Sequence, residues 1–223
     1  MKIVQTDFFG EHNLGIFGKS SDEICLIGKS LEEKRREVED VLKVKCIALT
    51  ISNTDLVGIF CALNKNGIIL PKILTENEKR FFSELKKNFG INLLVLNSKF
   101  TALGNLILCN DDGALISELF NKKEKKAIED VLGVEAQFSK IAGIKSVGSC
   151  GIATNKGCLI HRDASEEEIK VAEELLKVPV DIGTLNFGSP FVGACCIANS
   201  KGALVGRSTT GPEIARFQEA LSL

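Results

Sequence analysis

Five glycines, Gly15, Gly58, Gly104, Gly148 and Gly193, each lead a run of apolar residues and stand 43, 46, 44 and 45 residues apart. Nine residues after each comes a turn glycine (Gly67, Gly113, Gly157, Gly202), with Ile24 standing in the first copy. Seventeen after each comes a helix start, at Thr75, Asn121, Ser165 and Thr210, with Ser30 two residues early in the first copy. Self-similarity at this period marks a solenoid, an array or a propeller, because one such unit buries its apolar face only against its neighbours. The repeat therefore constrains the fold more than any composition does.

The fourth copy reads as one supersecondary unit. Val147-Gly-Ser-Cys-Gly-Ile-Ala153 is short and apolar, which predicts a buried strand. Thr154-Asn-Lys-Gly157 is turn chemistry, with a glycine free to take positive φ, and Cys158–His161 returns as the second strand of a hairpin. Ser165…Glu168 matches a capping box, in which hydroxyl and carboxylate satisfy unpaired amides at the helix start. Ile169, Ala172 and Leu176 then form one apolar stripe, and Val178–Asp181 reads as a third strand. The other turns are Asn64–Gly67, Asn110–Gly113 and Asn199–Gly202. The other capping boxes are Ser30…Glu33, Thr75…Glu78, Asn121…Glu124 and Thr210…Glu213, the last followed by Pro212 in the first turn.

The ends decide between an open array and a ring. Copies one to four continue past the helix into strands near 44–49, 91–96, 134–138 and 178–182, whereas the fifth helix runs to Leu221 and the sequence stops. At the other end, Lys2–Thr6 is a strand with no helix before it, which is the piece the fifth copy lacks. An open array needs polar caps at its terminal repeats; closure removes the edges. The expectation is an α/β fold, a single domain over 1–223: a closed five-bladed propeller of about 45-residue ββαβ repeats. The repeats lie near 7–51, 52–97, 98–140, 141–184 and 185–223, with 1–6 completing the fifth.

Composition limits the function classes. The net charge is −1, from 28 Lys and Arg against 29 Asp and Glu, which removes the basic stripe expected of a protein wrapped in nucleic acid but leaves room for a partner that is part RNA and part protein. The Lys-Arg clusters fall on the helical segments among Glu and Asp, as on a solvated outer face. No secretory signal or membrane-length apolar run is legible, so a cytoplasmic protein is expected. Eight cysteines occur without a C-x-x-C pair and with only two histidines, which predicts buried core thiols and no metal or other cofactor.

The third copy contains Phe100-Thr-Ala-Leu-Gly-Asn105-Leu-Ile-Leu-Cys-Asn110-Asp111. Its Ala-Leu-Gly-Asn followed by Cys-Asn-Asp closely resembles the translation initiation factor 6 family, the ribosome anti-association factors of archaea and eukaryotes. Val147-Gly-Ser and the 178–189 stretch extend the resemblance over essentially the whole chain, in its archaeal form without an acidic C-terminal extension. The resemblance implies the five-module pentein propeller and binding to the large ribosomal subunit, through ribosomal protein and rRNA at the intersubunit face. It implies no small-molecule substrate, and a monomer is expected. Asn105 and Asp111, carried over from the matching motif, are the leading ribosome-binding candidates; both could instead bond turn backbone. Asn53, Asn186 and Phe191 join them as residues of the loops before the glycine-led runs, because loops on a rigid scaffold commonly carry binding.

The same fold also hosts enzymes that modify guanidino groups through a cysteine nucleophile, and fold alone does not carry function. Cys195 or Cys196 with His161 would be the catalytic set, and thiol and imidazole must then lie within hydrogen-bond reach. Neighbouring strand residues face opposite ways, which disfavours that arrangement. No catalytic residue is therefore assigned.

Overall fold

The structure is a computed structural model in which residues 2–223 are described. After β1 (Lys2–Thr6), repeat 1 holds a 3-10 turn (Leu14–Ile16), β2 (Gly18–Ser20), β3 (Ile24–Gly28), α1 (Arg35–Leu42) and β4 (Lys45–Leu49). Repeat 2 holds α2 (Val57–Phe60), β5 (Ala62–Leu63), β6 (Gly67–Pro71), α3 (Glu76–Phe89) and β7 (Asn92–Leu96). Repeat 3 holds α4 (Leu103–Leu106), β8 (Ile107–Cys109), β9 (Gly113–Ser117), α5 (Lys122–Leu132) and β10 (Glu135–Ser139). Repeat 4 holds α6 (Val147–Cys150), β11 (Gly151–Ala153), β12 (Cys158–His161), α7 (Glu166–Leu176) and β13 (Val180–Gly183). Repeat 5 holds α8 (Val192–Cys195), β14 (Cys196–Asn199), β15 (Gly202–Gly206) and α9 (Gly211–Ala220).

The result is a mixed α/β architecture of five three-stranded sheets, one to each repeat. In every sheet the hairpin pair is antiparallel, and in the first four the strand after the helix pairs parallel to the hairpin's second strand. The fifth sheet takes its third strand from the other end of the chain: β1 pairs parallel with β15, from Lys2 opposite Gly202 to Thr6 opposite Gly206. The N-terminal strand therefore completes the fifth repeat, as its sequence position predicts.

Three local expectations are corrected. The glycine-led runs do not begin as strands; each is one helical turn, and the strand starts only afterwards, at Gly18, Ala62, Ile107, Gly151 or Cys196. Backbone crowding explains why the residue is glycine. A Cβ on Gly58 would lie 1.9 Å from the Gly15 carbonyl oxygen, one on Gly104 2.0 Å from that of Gly58, and one on Gly148 2.1 Å from that of Gly104. Gly193 meets Gly148 and Gly15 meets Gly193, both at 2.2 Å, so the series of contacts returns to its start.

Second, the turn glycines do not take positive φ. They too are close-approach positions: their Cβ atoms would strike the helix-end carbonyls of Val131, Leu175, Ala220 and Val41, each from the following repeat, with repeat 1 following repeat 5. Third, Ser30 caps nothing. Lys29–Lys34 is a 3-10 segment leading into α1, and the Ser30 amide donates to Asp55 Oδ1 instead. The other four capping boxes form as the sequence predicts.

The apolar core lies between repeats rather than within them. Helix α5 covers β6 and β7 of the preceding repeat, α7 covers β9 and β10, α9 covers β12 and β13, and α1 covers β15 and β1. Ala62 and Ile69, for example, share a cluster with Phe120 and Ile128 of repeat 3. Each unit thus buries its stripe on a neighbour, as a unit of this size must.

Candidate functional site

The two ends of the molecule differ in chemistry. At one end lie the glycine-led helical turns and the tight turns that precede them; at the other lie the Asn-led hairpin turns and the helix C-termini. Residues just after the glycines, Ile16, Ile59, Asn105, Ser149 and Ala194, are half-buried at the first end. Around them the turns Phe8–Glu11, Ile51–Thr54, Ile141–Ile144 and Leu185–Ser189 are closed by antiparallel bridges.

These turns use left-handed backbone at ordinary residues: Phe9 (φ 55°), Ser52 (55°), Asn53 (58°), Ala142 (52°) and Phe187 (61°). Such conformations persist only where surrounding structure enforces them. At three of these turns the enforcing group is the capping-box glutamate; in the Phe8–Glu11 turn the Asp7 carboxylate accepts from Gly10 N instead. Glu78 accepts from Thr75 N in its own cap and from Ser52 N, Asn53 N and Thr50 Oγ1 of the turn. Glu168 accepts from Ser165 N, Ala142 N and Gly143 N, and Glu213 from Thr210 N, Phe187 N and Gly188 N. Burial raises the pKa of all three carboxyls, but these donors outweigh it and hold each below 4.5. This second role is not legible in the sequence, where the glutamates read only as caps.

The five candidate residues do not form one site. Asn105 sits in α4, and among the described residues its carboxamide has no hydrogen-bond partner. Asn53 is exposed on its turn, and Phe191 is 40% exposed with its ring edge-to-face on His161 at 5.8 Å. These three present free side chains at the glycine-led end. Asn186 is at the same end, but its side chain is occupied: Nδ2 donates to His12 O at 2.8 Å and Oδ1 accepts from Thr209 Oγ1 at 3.1 Å.

Asp111 lies at the far end of the β8–β9 hairpin from Asn105. Its carboxylate accepts from Lys65 N and Asn155 Nδ2, while its own amide donates to Asn155 Oδ1. Bonding of turn backbone therefore describes Asp111, and not Asn105.

Two aromatics were missed. Phe187 is 82% and Phe9 71% exposed, each followed by glycine at a tight turn of the same end. The repeated Phe-Gly dipeptide was the available signal. The two turns adjoin, since Asn186 of one segment bonds His12 beside the other, and Ser208 Oγ shares a hydrogen bond with His12 Nδ1.

Seven of the eight cysteines are buried and Cys109 is half-buried. Burial pushes Cys61 and Cys109 up to about 12 and Cys150 to about 11, and also raises Cys158, Cys195 and Cys196. A nucleophilic cysteine needs the opposite shift. Cys195 contacts Asn13 and Ser189, and His161 accepts from Asp163 N at Nδ1; no histidine ring bonds a thiol among the described residues. No group of three or more His, Cys, Asp or Glu is disposed to hold a metal among them. No described helix is long and apolar enough to cross a membrane.

Fold and site together define the class: a mixed α/β protein of five repeated three-stranded sheets, presenting at one end a rim of clamped turns with unspent polar and aromatic side chains. The chain belongs to the eIF-6 family, whose profile matches residues 3–220. It is 44% identical to translation initiation factor 6 of Pyrococcus abyssi over 194 residues, 86% of each chain. It is 44% identical to the protein of that name from Saccharolobus islandicus over 193 residues, again 86% of each, and 36% identical to that of Pyrobaculum aerophilum over 82% of each.

Proposed function

We propose that the five sheets form a closed five-bladed α/β propeller of the pentein type, one domain over residues 1–223, acting as a ribosome anti-association factor. The glycine-led end docks on the intersubunit face of the large ribosomal subunit, against ribosomal protein and rRNA, and the bound disc keeps the small subunit off by occupying its place. The work is steric, so neither catalysis nor a cofactor has a part in it, and a cytoplasmic monomer suffices. Family membership and the names of the relatives support a role in initiation.

The observation that carries the choice of face is the Asn105 carboxamide, left without an internal partner among the described residues at the glycine-led end. Rigid loops with free polar groups and exposed aromatics lose little entropy on docking. Asn53, Phe191, Phe9 and Phe187 extend the same surface. Asn186 supports it from beneath, and Asp111 lies outside it.

Co-sedimentation with purified large subunits, followed by a subunit-joining assay, tests this reading. The protein should pellet with large subunits and suppress joining, and Asn105→Arg should weaken pelleting at least about tenfold at unchanged Tm, as for a central interface position. Equal pelleting with small subunits, or joining that proceeds unaffected, would overturn it.

A further inference from the structure

Two of the eight cysteines lie directly opposite each other on neighbouring strands. Cys25 of β3 is paired in register with Cys46 of β4. Both are fully buried, in the cluster that Val38, Val41 and Leu42 of α1 complete. Register partners on parallel strands project to the same face and stand about 4.8 Å apart, within the roughly 4.4–6.8 Å that a disulfide spans between Cα atoms. Hydrogen bonding with the Cys46 thiol, and then burial, push the Cys25 thiol well above the ordinary thiol range. Both residues are thiols in this structure.

The pair is particular to repeat 1. The corresponding partners are Ile68 and Leu93 in repeat 2, Ala114 and Ala136 in repeat 3, Cys158 and Val180 in repeat 4, and Ala203 and Ile3 in repeat 5. Packing at this place is served by ordinary apolar couples, so it does not by itself call for two thiols.

Repeat 1 also goes without ties that hold the others. It alone lacks a capping box, since α1 grows out of the 3-10 segment Lys29–Lys34, and it alone has Ile24 where a turn glycine stands. Like repeat 4, it lacks the turn asparagine that donates to the following repeat's helix-end carbonyl: Asn64 to Leu132, Asn110 to Leu176 and Asn199 to Leu42.

We propose that Cys25 and Cys46 are a disulfide site, a covalent staple across β3 and β4 that closes the chain around α1. The oxidant is a low-molecular-weight disulfide such as oxidised glutathione. One cysteine thiolate attacks it and expels a glutathione thiolate; the other then attacks the protein sulfur of the mixed disulfide and expels the second. The two cysteines give up two electrons and two protons, and the oxidant takes them up as two glutathione thiols. Exchange needs a thiolate, which the raised Cys25 thiol withholds in the folded protein, so the reaction belongs to folding, before α1 covers the pair. Burial then keeps reductant from the bond as it keeps oxidant from the thiols. The site lies in the core of repeat 1, and the proposal does not rest on the ribosomal reading.

Refolding the full chain from denaturant in mixed oxidised and reduced glutathione tests it, with free thiols then blocked by N-ethylmaleimide and the intact protein weighed. All but two of the eight cysteines should be blocked. Cys46→Ala should lose the link, and Cys61→Ala should keep it, which separates Cys46 from the other thiol that acts on Cys25. A link closing a loop of this length should raise Tm by roughly 6–13 °C over the same protein refolded in reductant. Cys46→Ala should melt alike from both buffers. Should that variant fail to fold, the thiol count and the two melting curves of the unaltered chain still decide. Eight blocked cysteines, a link that survives Cys46→Ala, or equal melting of the linked and reduced chains would overturn the staple.

Discussion

Asn105 and Asp111 are six positions apart in one motif, yet the chain uses them oppositely. The β8–β9 hairpin carries Asp111 away from α4, into a line of side chains joining successive repeats. Its removal strands the Lys65 amide and one Asn155 donor, and such losses cost about 1–3 kcal/mol. Asp111→Ala should therefore lower Tm by roughly 2–12 °C at this chain length, read by calorimetry, while pelleting with large subunits persists. Loss of pelleting at unchanged Tm would return Asp111 to the binding face. The motif marked both residues as special, but which side chain is free depends on Lys65 and Asn155, each more than 40 positions away.

Among the elements, the caps were the most legible in sequence and the glycine-led runs the least. A capping box is closed by residues three apart, so four of the five expected were found from spacing alone. The glycine-led runs have strand composition, yet each opens as a helical turn, and a neighbouring backbone about 2 Å from the Cβ position requires the glycine there. Helices α1 and α5 end alike for a reason also hidden from spacing: Glu39 and Glu129 accept from the strand amides of Cys46 and Ala136.

The clamped turns carry a pH prediction. Glu78, Glu168 and Glu213 have depressed folded-state pKa values. Their stabilisation is complete above the unfolded value, near 4.3, and is lost as pH falls through the lower folded values. The Glu78→Gln, Glu168→Gln, Glu213→Gln protein should be less stable than the parent at neutral pH. The difference in Tm should shrink as pH falls below about 4. A difference independent of pH would mean that the carboxylate charge contributes nothing to the clamp.

At the scale of the whole molecule, stability resides in the junctions. The junction of repeats 4 and 5 keeps Gly157 and the Asn155–Ser200 bond but has Thr154 where Asn64, Asn110 and Asn199 reach across. Thr154→Asn should add the missing donor to Asn199 and Leu221 carbonyls and stabilise by about 1 kcal/mol, seen as a rise in Tm of roughly 2–4 °C. A fall in Tm would show that the threonine methyl packs better than the amide bonds.

The number of repeats, the four working caps and the pairing of the N-terminal strand with the fifth sheet are legible in the sequence alone. These follow from periodicity and from interactions within a few residues, which spacing records directly. Why the glycines are glycines, which asparagines are spent and what the capping glutamates also hold emerge only in the folded chain. Each of these depends on backbone from another repeat approaching to within a few ångströms, and no local pattern encodes that distance.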